Sequence, residues 1–150
     1  MVKGRNYRTR GFFAASLGLV AVLALGLLLG ACGSKEDESS VTGTVIYRER
    51  IALPDDAVVT VQLQDVSKQD VKAAVMGEQL IKTEGKQVPI DYAVPYDEDA
   101  IDERFTYSVS ARIEDGAGKL LFISDTVIPV ITRDNPSKDV EILVVSVASP

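Results

Sequence analysis

The chain has no histidine, no tryptophan and a single cysteine among its 150 residues. Each absence removes a class of chemistry. Without histidine there is no Ser-His-Asp triad and no Cys-His pair, and the commonest zinc ligand is missing. With one cysteine no disulfide can close within the chain, even in an oxidising compartment, so the fold must stand on its own apolar core. No nucleophile–base pairing and no cofactor motif emerges from the residues that remain. The expectation is a protein that is not an enzyme, with no catalytic residue, no metal and no cofactor. Lysine-based and paired-carboxylate mechanisms are the classes that composition leaves open.

The cysteine stands at the sharpest compositional step in the chain. Lys3, Arg5, Arg8 and Arg10 come first, and residues 11–31 then carry no charge. After Leu29-Gly30-Ala31-Cys32 the chain turns at once to Gly33-Ser34-Lys35-Glu36-Asp37-Glu38-Ser39-Ser40. A basic start, an apolar run and small residues before a boundary form a secretory signal peptide. The competing reading is an uncleaved span, which needs about 20 apolar residues. The small-residue step, with the sole cysteine at the polar edge, favours cleavage. Leu29-Gly30-Ala31-Cys32 resembles the bacterial lipobox, which implies diacylglycerol on the Cys32 thiol, cleavage before Cys32 and acylation of the new amine. Each buried CH₂ contributes about 0.8 kcal/mol, and stable anchoring takes more than one chain. The membrane is therefore one expected partner, through lipid on Cys32. Gly33, rather than an aspartate, follows the cysteine, which points to the outer membrane and a periplasmic face; some groups read Ser34 and Lys35 as well.

Residues 1–31 are read as the signal peptide and 32–40 as the acylated cysteine with a flexible tether, which leaves 41–150 as one domain. From Cys32 onward, 12 of the 16 Lys and Arg face all 22 Asp and Glu, a net of −10. Such a surface repels nucleic acid and anionic headgroups, so neither is an expected partner.

From Val41 the pattern has period two, the mark of half-buried strands. Val41, Gly43, Val45 and Tyr47 share one face. Residues 57–65 place Val59, Val61 and Leu63 together. Residues 73–82 are read as a strand bulged at Gly77, and 87–94 as a strand entered through Pro89. Residues 104–114 align Phe105, Tyr107, Val109, Ala111 and Ile113. A Gly-containing turn at 115–118 leads into 119–124 as a hairpin. Residues 125–132 form a strand broken by Pro129. The nearly continuous apolar run 139–147 is read as a central strand covered on both faces. About seven to eight strands and no convincing helix predict an all-β fold, a single β-sandwich with Pro-marked edges.

Four stretches are candidate sites. The acidic run Asp97-Glu98-Asp99-Ala100-Ile101-Asp102-Glu103 offers oxygens to calcium but lacks the alternating spacing and central glycine of a calcium loop, and reads better as a solvated loop. Tyr96 is a packed turn residue or a binding aromatic. Tyr47-Arg48-Glu49-Arg50 is a charged rim that blocks edge aggregation or meets a partner. Ser124-Asp125-Thr126 lacks a general base and reads as a capped turn.

Beyond the lipobox, an ordered set of phrases is recognisable. It comprises residues 43–54 and 57–67, then Val88-Pro89-Ile90, Pro95-Tyr96-Asp97, Ile101-Asp102, Tyr107, Ala111-Arg112-Ile113, residues 120–126 and Pro129-Val130-Ile131-Thr132-Arg133. In order and wording this resembles the YbaY family of lipoproteins, which is grouped with YscW, the lipoprotein chaperone or pilotin of type III secretion. The resemblance implies a small β-sandwich on the inner leaflet of the outer membrane, with no catalytic residues. In the pilotin branch it implies binding and guiding a secretin subunit. Two functions follow as expectations. The first is a non-catalytic, chaperone-like interaction module for an envelope protein, its binding residues not legible in the sequence. The alternative is a carrier or sensor of a small glycan or lipid fragment in a cleft of the sandwich.

Overall fold

Period-two alternation becomes strand pairing throughout residues 39–147, the part of the chain described by the computed structural model. Nine strands and one short 3₁₀ turn, Glu98–Ala100, follow one another. The strands are β1 Ser39–Ile46, β2 Val58–Asp65, β3 Ala74–Lys82, β4 Ile90–Tyr96, β5 Tyr107–Glu114, β6 Leu120–Ile123, β7 Ile128–Val130, β8 Val140–Leu143 and β9 Val145–Ser146.

They form two sheets. One has the order β4-β1-β8, with β4 antiparallel and β8 parallel to β1. The other has the order β3-β2-β5-β6-β9, and β7 pairs with the half of β5 that β6 leaves free. The inner faces interlock as the alternation requires. Val41, Val45, Tyr92, Val94, Val140 and Ile142 come from the first sheet; Val59, Val61, Leu63, Tyr107, Val109, Ala111 and Ile113 come from the second. All are buried. This is the expected all-β sandwich.

At one side the sheets are stitched by a side chain. The Ala93 amide of β4 donates to Oε1 of Gln79 on β3 at 2.7 Å. Beside it, a Cβ on Gly77 would strike the Pro95 carbonyl, so only glycine lets the two edges come this close. The bulge expected at Gly77 is present: Leu63 pairs with Gly77 and Gln64 with Val75, which leaves Met76 as the extra residue.

The structure corrects several sequence expectations. The run 139–147 is not one central strand. β8 lies at the edge of the first sheet and β9 at the edge of the second. The chain crosses between them at the fully buried Val144, whose amide donates to Ile46 O at 2.9 Å. The run is continuously apolar because it serves the core from both sheets in turn. β5 begins at Tyr107, not Arg104, because Asp102 first holds a turn: its carboxylate accepts from the Arg104 amide at 2.9 Å and its carbonyl from the Phe105 amide at 2.9 Å. Phe105 is consequently exposed rather than in line with Tyr107. β4 starts after Pro89 and runs on through Pro95 to Tyr96, opposite Ser40 and Ser39, so these two serines belong to the sheet and not to the tether. β7 keeps only three residues around Pro129 and stops at Ile131, a β-branched residue at φ 70°.

Candidate functional site

β1 leads into a turn whose residues build one wall of an apolar groove. The Tyr47 ring is buried and stacks on Phe122 of β6, with centroids 4.4 Å apart and planes 13° from parallel. Such a pair adds about 0.5–1.5 kcal/mol beyond its buried area. The Tyr47 hydroxyl donates to Ile51 O at 2.6 Å, which fixes the turn over the ring. Burial, and secondarily the Glu49 carboxylate, raise the Tyr47 phenol above its ordinary pKa, so it remains a donor. Opposite, Leu53 is tied by Gln87: its amide donates to Gln87 Oε1 at 2.7 Å.

The other wall is the edge of the larger sheet. The Val147 amide donates to Leu121 O at 3.0 Å, holding β9 on β6. Glu49 closes the edge, accepting from the Ser146 amide at 3.1 Å and from its neighbour Arg48 at 3.0 Å. These backbone hydrogen bonds, Ser146 first, lower the Glu49 carboxyl below its ordinary pKa. Between the walls lies a cavity of about 380 Å³ lined by Ile51, Ala52, Pro54, Lys119, Leu120, Leu121, Phe122, Ser146 and Val147. Ile51 is 58% exposed and Val147 42% exposed. The volume falls in the range of ligand clefts, about 300–1,000 Å³.

A second cleft, of about 590 Å³, opens around Tyr96, Ile101 and Ile131, rimmed by Glu98, Glu103, Arg133 and Asp134. Burial first, then Glu98, raises the Tyr96 phenol, while the Ser39 side chain opposes them. Tyr96 is thus both packed and cleft-lining.

The remaining candidates take structural roles. Asp97 caps the 3₁₀ turn by accepting from the Asp99 amide at 3.0 Å. Asp102 pairs with Arg104 at 2.6 Å. Among the described residues no group of three or more His, Cys, Asp and Glu is placed to hold a metal ion. Ser124 continues the sheet: its amide donates to Ala111 O at 2.9 Å and its Oγ accepts from the Ala111 amide at 3.1 Å. The rim Tyr47-Arg48-Glu49-Arg50 does not line the apolar groove but braces it, through the Tyr47 stack on Phe122 and the Glu49 hydrogen bond to the Ser146 amide. Sequence patterning does not reveal Leu120, Leu121 and Val147 as groove residues, because their spacing marks them only as strand. Leu29, Gly30, Ala31 and Cys32 lie outside the described residues.

Residues 36–142 match the family described as the type III secretion system lipoprotein chaperone (YscW). The chain belongs to this family. A curated relative, the uncharacterized lipoprotein YbaY of Escherichia coli (strain K12), is 36% identical over 108 residues, which cover 71% of this chain. The chain spans 55% of that relative's length. Among solved structures, an alternative pilotin from the type II secretion system of Vibrio cholerae is 49% identical and superposes with a TM-score of 0.70, covering 74% of this chain and 98% of that one. The family is one of lipoprotein chaperones, as the resemblance implied.

Proposed function

We propose that this protein is a non-catalytic envelope lipoprotein, acylated at Cys32, whose sandwich holds an apolar segment of an outer-membrane secretion component such as a secretin subunit. The observation that carries this reading is the groove between Ile51 and Val147: apolar, open, and lined by Phe122, which the stacked, buried Tyr47 holds in place. An exposed apolar surface rimmed by polar residues marks an interaction site, and helix-in-groove docking uses such a shape. The roles named for the relatives, a secretion chaperone and a secretion pilotin, support the partner class.

Position along the chain fits the work. Covalent reach alone keeps Ser39 within about 25 Å of an acylated Cys32. β1 then runs eight residues, about 23 Å, before the turn that carries Ile51. The groove therefore opens beyond the end of β1 opposite Ser39. Anchoring in the outer membrane, on its periplasmic leaflet, makes the protein a carrier that brings a bound subunit to that surface. The larger cleft at Tyr96 favours the second reading, a small envelope ligand, because its volume suits one.

The test is site-specific photocrosslinking in cells from Ile51 and Val147, with the exposed Asp91 on β4 of the smaller sheet as control. One reproducible envelope protein captured from both groove positions, and not from Asp91, supports the reading. Capture from neither, together with a metabolite retained in native mass spectrometry, replaces it with the small-ligand reading.

A further inference from the structure

Charge is distributed unevenly around the clefts of this acidic domain. The Tyr96 cleft is rimmed by Glu98, Glu103 and Asp134 against one cation, Arg133, and another cleft by Asp91, Asp139 and Glu141 with none. The apolar groove has no carboxylate in its lining and one cation, Lys119. Lys119 is exposed and makes no ion pair among the described residues. Carboxylates that flank the groove-lining segments in sequence are turned to other work, Glu114 to Arg112 at 3.8 Å among them. Asp115 accepts from the Ala117 and Lys119 amides at 3.0 and 2.9 Å, closing the hairpin turn. Asp55 and Asp56 lie against Gly85 and Gly116. Glu49 is engaged with the Ser146 and Arg48 amides, while Arg48 and Arg50 on either side of it are exposed.

Resting on the groove reading above, we propose that the groove selects an apolar peptide segment bearing acidic residues, one carboxylate of which pairs with Lys119. The argument is charge complementarity at close range against repulsion at long range. From Cys32 onward the net charge is −10, so mean-field electrostatics favours a basic peptide. A local cation in a carboxylate-free apolar site reverses that order once the segment is seated, and gives specificity by excluding basic amphipathic segments. An exposed ion pair contributes up to about 1 kcal/mol, which is about fivefold in affinity.

Two synthetic amphipathic helical peptides test this, with one leucine–alanine face in common and either glutamates or lysines on the other. Each is titrated against the full lipidated chain in neutral detergent at physiological salt, which screens the long-range field of the domain. The expected result is about fivefold tighter binding of the glutamate peptide, kept in Lys119→Arg and inverted in Lys119→Glu. Ile51→Asp, at an exposed position, should weaken both peptides. Equal binding of both peptides, or tighter binding of the lysine peptide, with Ile51→Asp still disruptive, overturns the charge selection and leaves the groove reading standing. Failure of both peptides to bind, or binding indifferent to Ile51→Asp, overturns both.

Discussion

The Tyr92 hydroxyl on β4 donates a hydrogen bond of 2.9 Å to the Val140 carbonyl on β8, passing over β1 between them. Gly43 is the register partner of both residues. The ring therefore spans the smaller sheet at its one side-chain-free position and ties its two outer strands together. Burial raises the Tyr92 phenol well above its ordinary pKa, so the donor stays protonated at any physiological pH. Tyr92→Phe leaves a buried carbonyl without its partner and should cost about 1–3 kcal/mol. Urea denaturation at neutral pH checks it; a loss under about 0.5 kcal/mol would show that the bond contributes nothing net.

Two glycines should respond differently to alanine. A Cβ on Gly43 would collide with the backbone oxygen, carbon and nitrogen of Val140, none of which moves without parting β1 from β8. On Gly116 it would meet the side chain of Asp56, an exposed residue, and no backbone atom. Gly43→Ala is expected to lose about 3 kcal/mol or more, and Gly116→Ala under about 1 kcal/mol. Thermal melts of the two variants side by side measure the contrast.

Much of this architecture is legible in the alternation of apolar and polar residues. Val59, Val61 and Leu63 on one face of β2, and Tyr107, Val109, Ala111 and Ile113 on one face of β5, follow directly from it, because each strand has one covered face. Alternation fails where a segment serves two sheets. Residues 139–147 read as one buried strand because Val140, Ile142 and Val144 are all buried in the core while the chain turns a corner between sheets. It fails again at Phe105, where the Asp102 turn, and not periodicity, decides where β5 begins. The groove is hidden for a third reason. Ile51, Leu121 and Val147 are far apart in sequence, and what joins them is the Tyr47–Phe122 stack, a tertiary contact with no local signature.

Acid should loosen the loop between β4 and β5. Hydrogen bonds from the Arg104 side chain, then from its amide, hold the Asp102 carboxyl down to about 2. A folded pKa depressed below the unfolded value, about 3.9, stabilises fully above that value and loses the contribution as pH falls through the folded one. The window is therefore about pH 4 down to about pH 2. Arg104 is 84% exposed, so solvent keeps the contribution small. Asp102→Asn should flatten the acid limb of a melting-temperature profile across that window and leave the neutral value nearly unchanged. An acid limb identical to the parent's would show that other carboxylates carry it.

β9 has only two residues, and its hold depends on Glu49 as well as on β6. Glu49→Ala should therefore speed amide exchange across Val145–Val147 without changing the rate in β2 or β5. Glu49→Gln keeps a side-chain acceptor oxygen and should lie between the two. Hydrogen exchange read by mass spectrometry or NMR makes the comparison. Equal protection in all three proteins would assign the strand's order to β6 pairing alone.

Anchoring and folding should separate at Cys32. The core is complete within residues 39–147, with buried side chains from both sheets, so nothing in it needs the cysteine or its lipid. On the proposed lipoprotein reading, Cys32→Ser removes the thiol proposed to take the diacylglycerol and with it the cleavage that would depend on that lipid. The expected outcome is loss of palmitate labelling and accumulation of a precursor that still carries residues 1–31, with the melting transition of the sandwich unchanged. The length of the apolar run 11–31 makes the labelling assay more decisive than fractionation. A precursor retaining 21 uncharged residues is long enough to stay in the membrane as a span, about 20 residues being sufficient. Parent and variant can then both sediment with membranes, but only the parent is expected to take up the label. Labelling that persists in Cys32→Ser would overturn the assignment of the lipid to this residue, and a parent protein of full precursor mass would replace the lipid anchor with an uncleaved span.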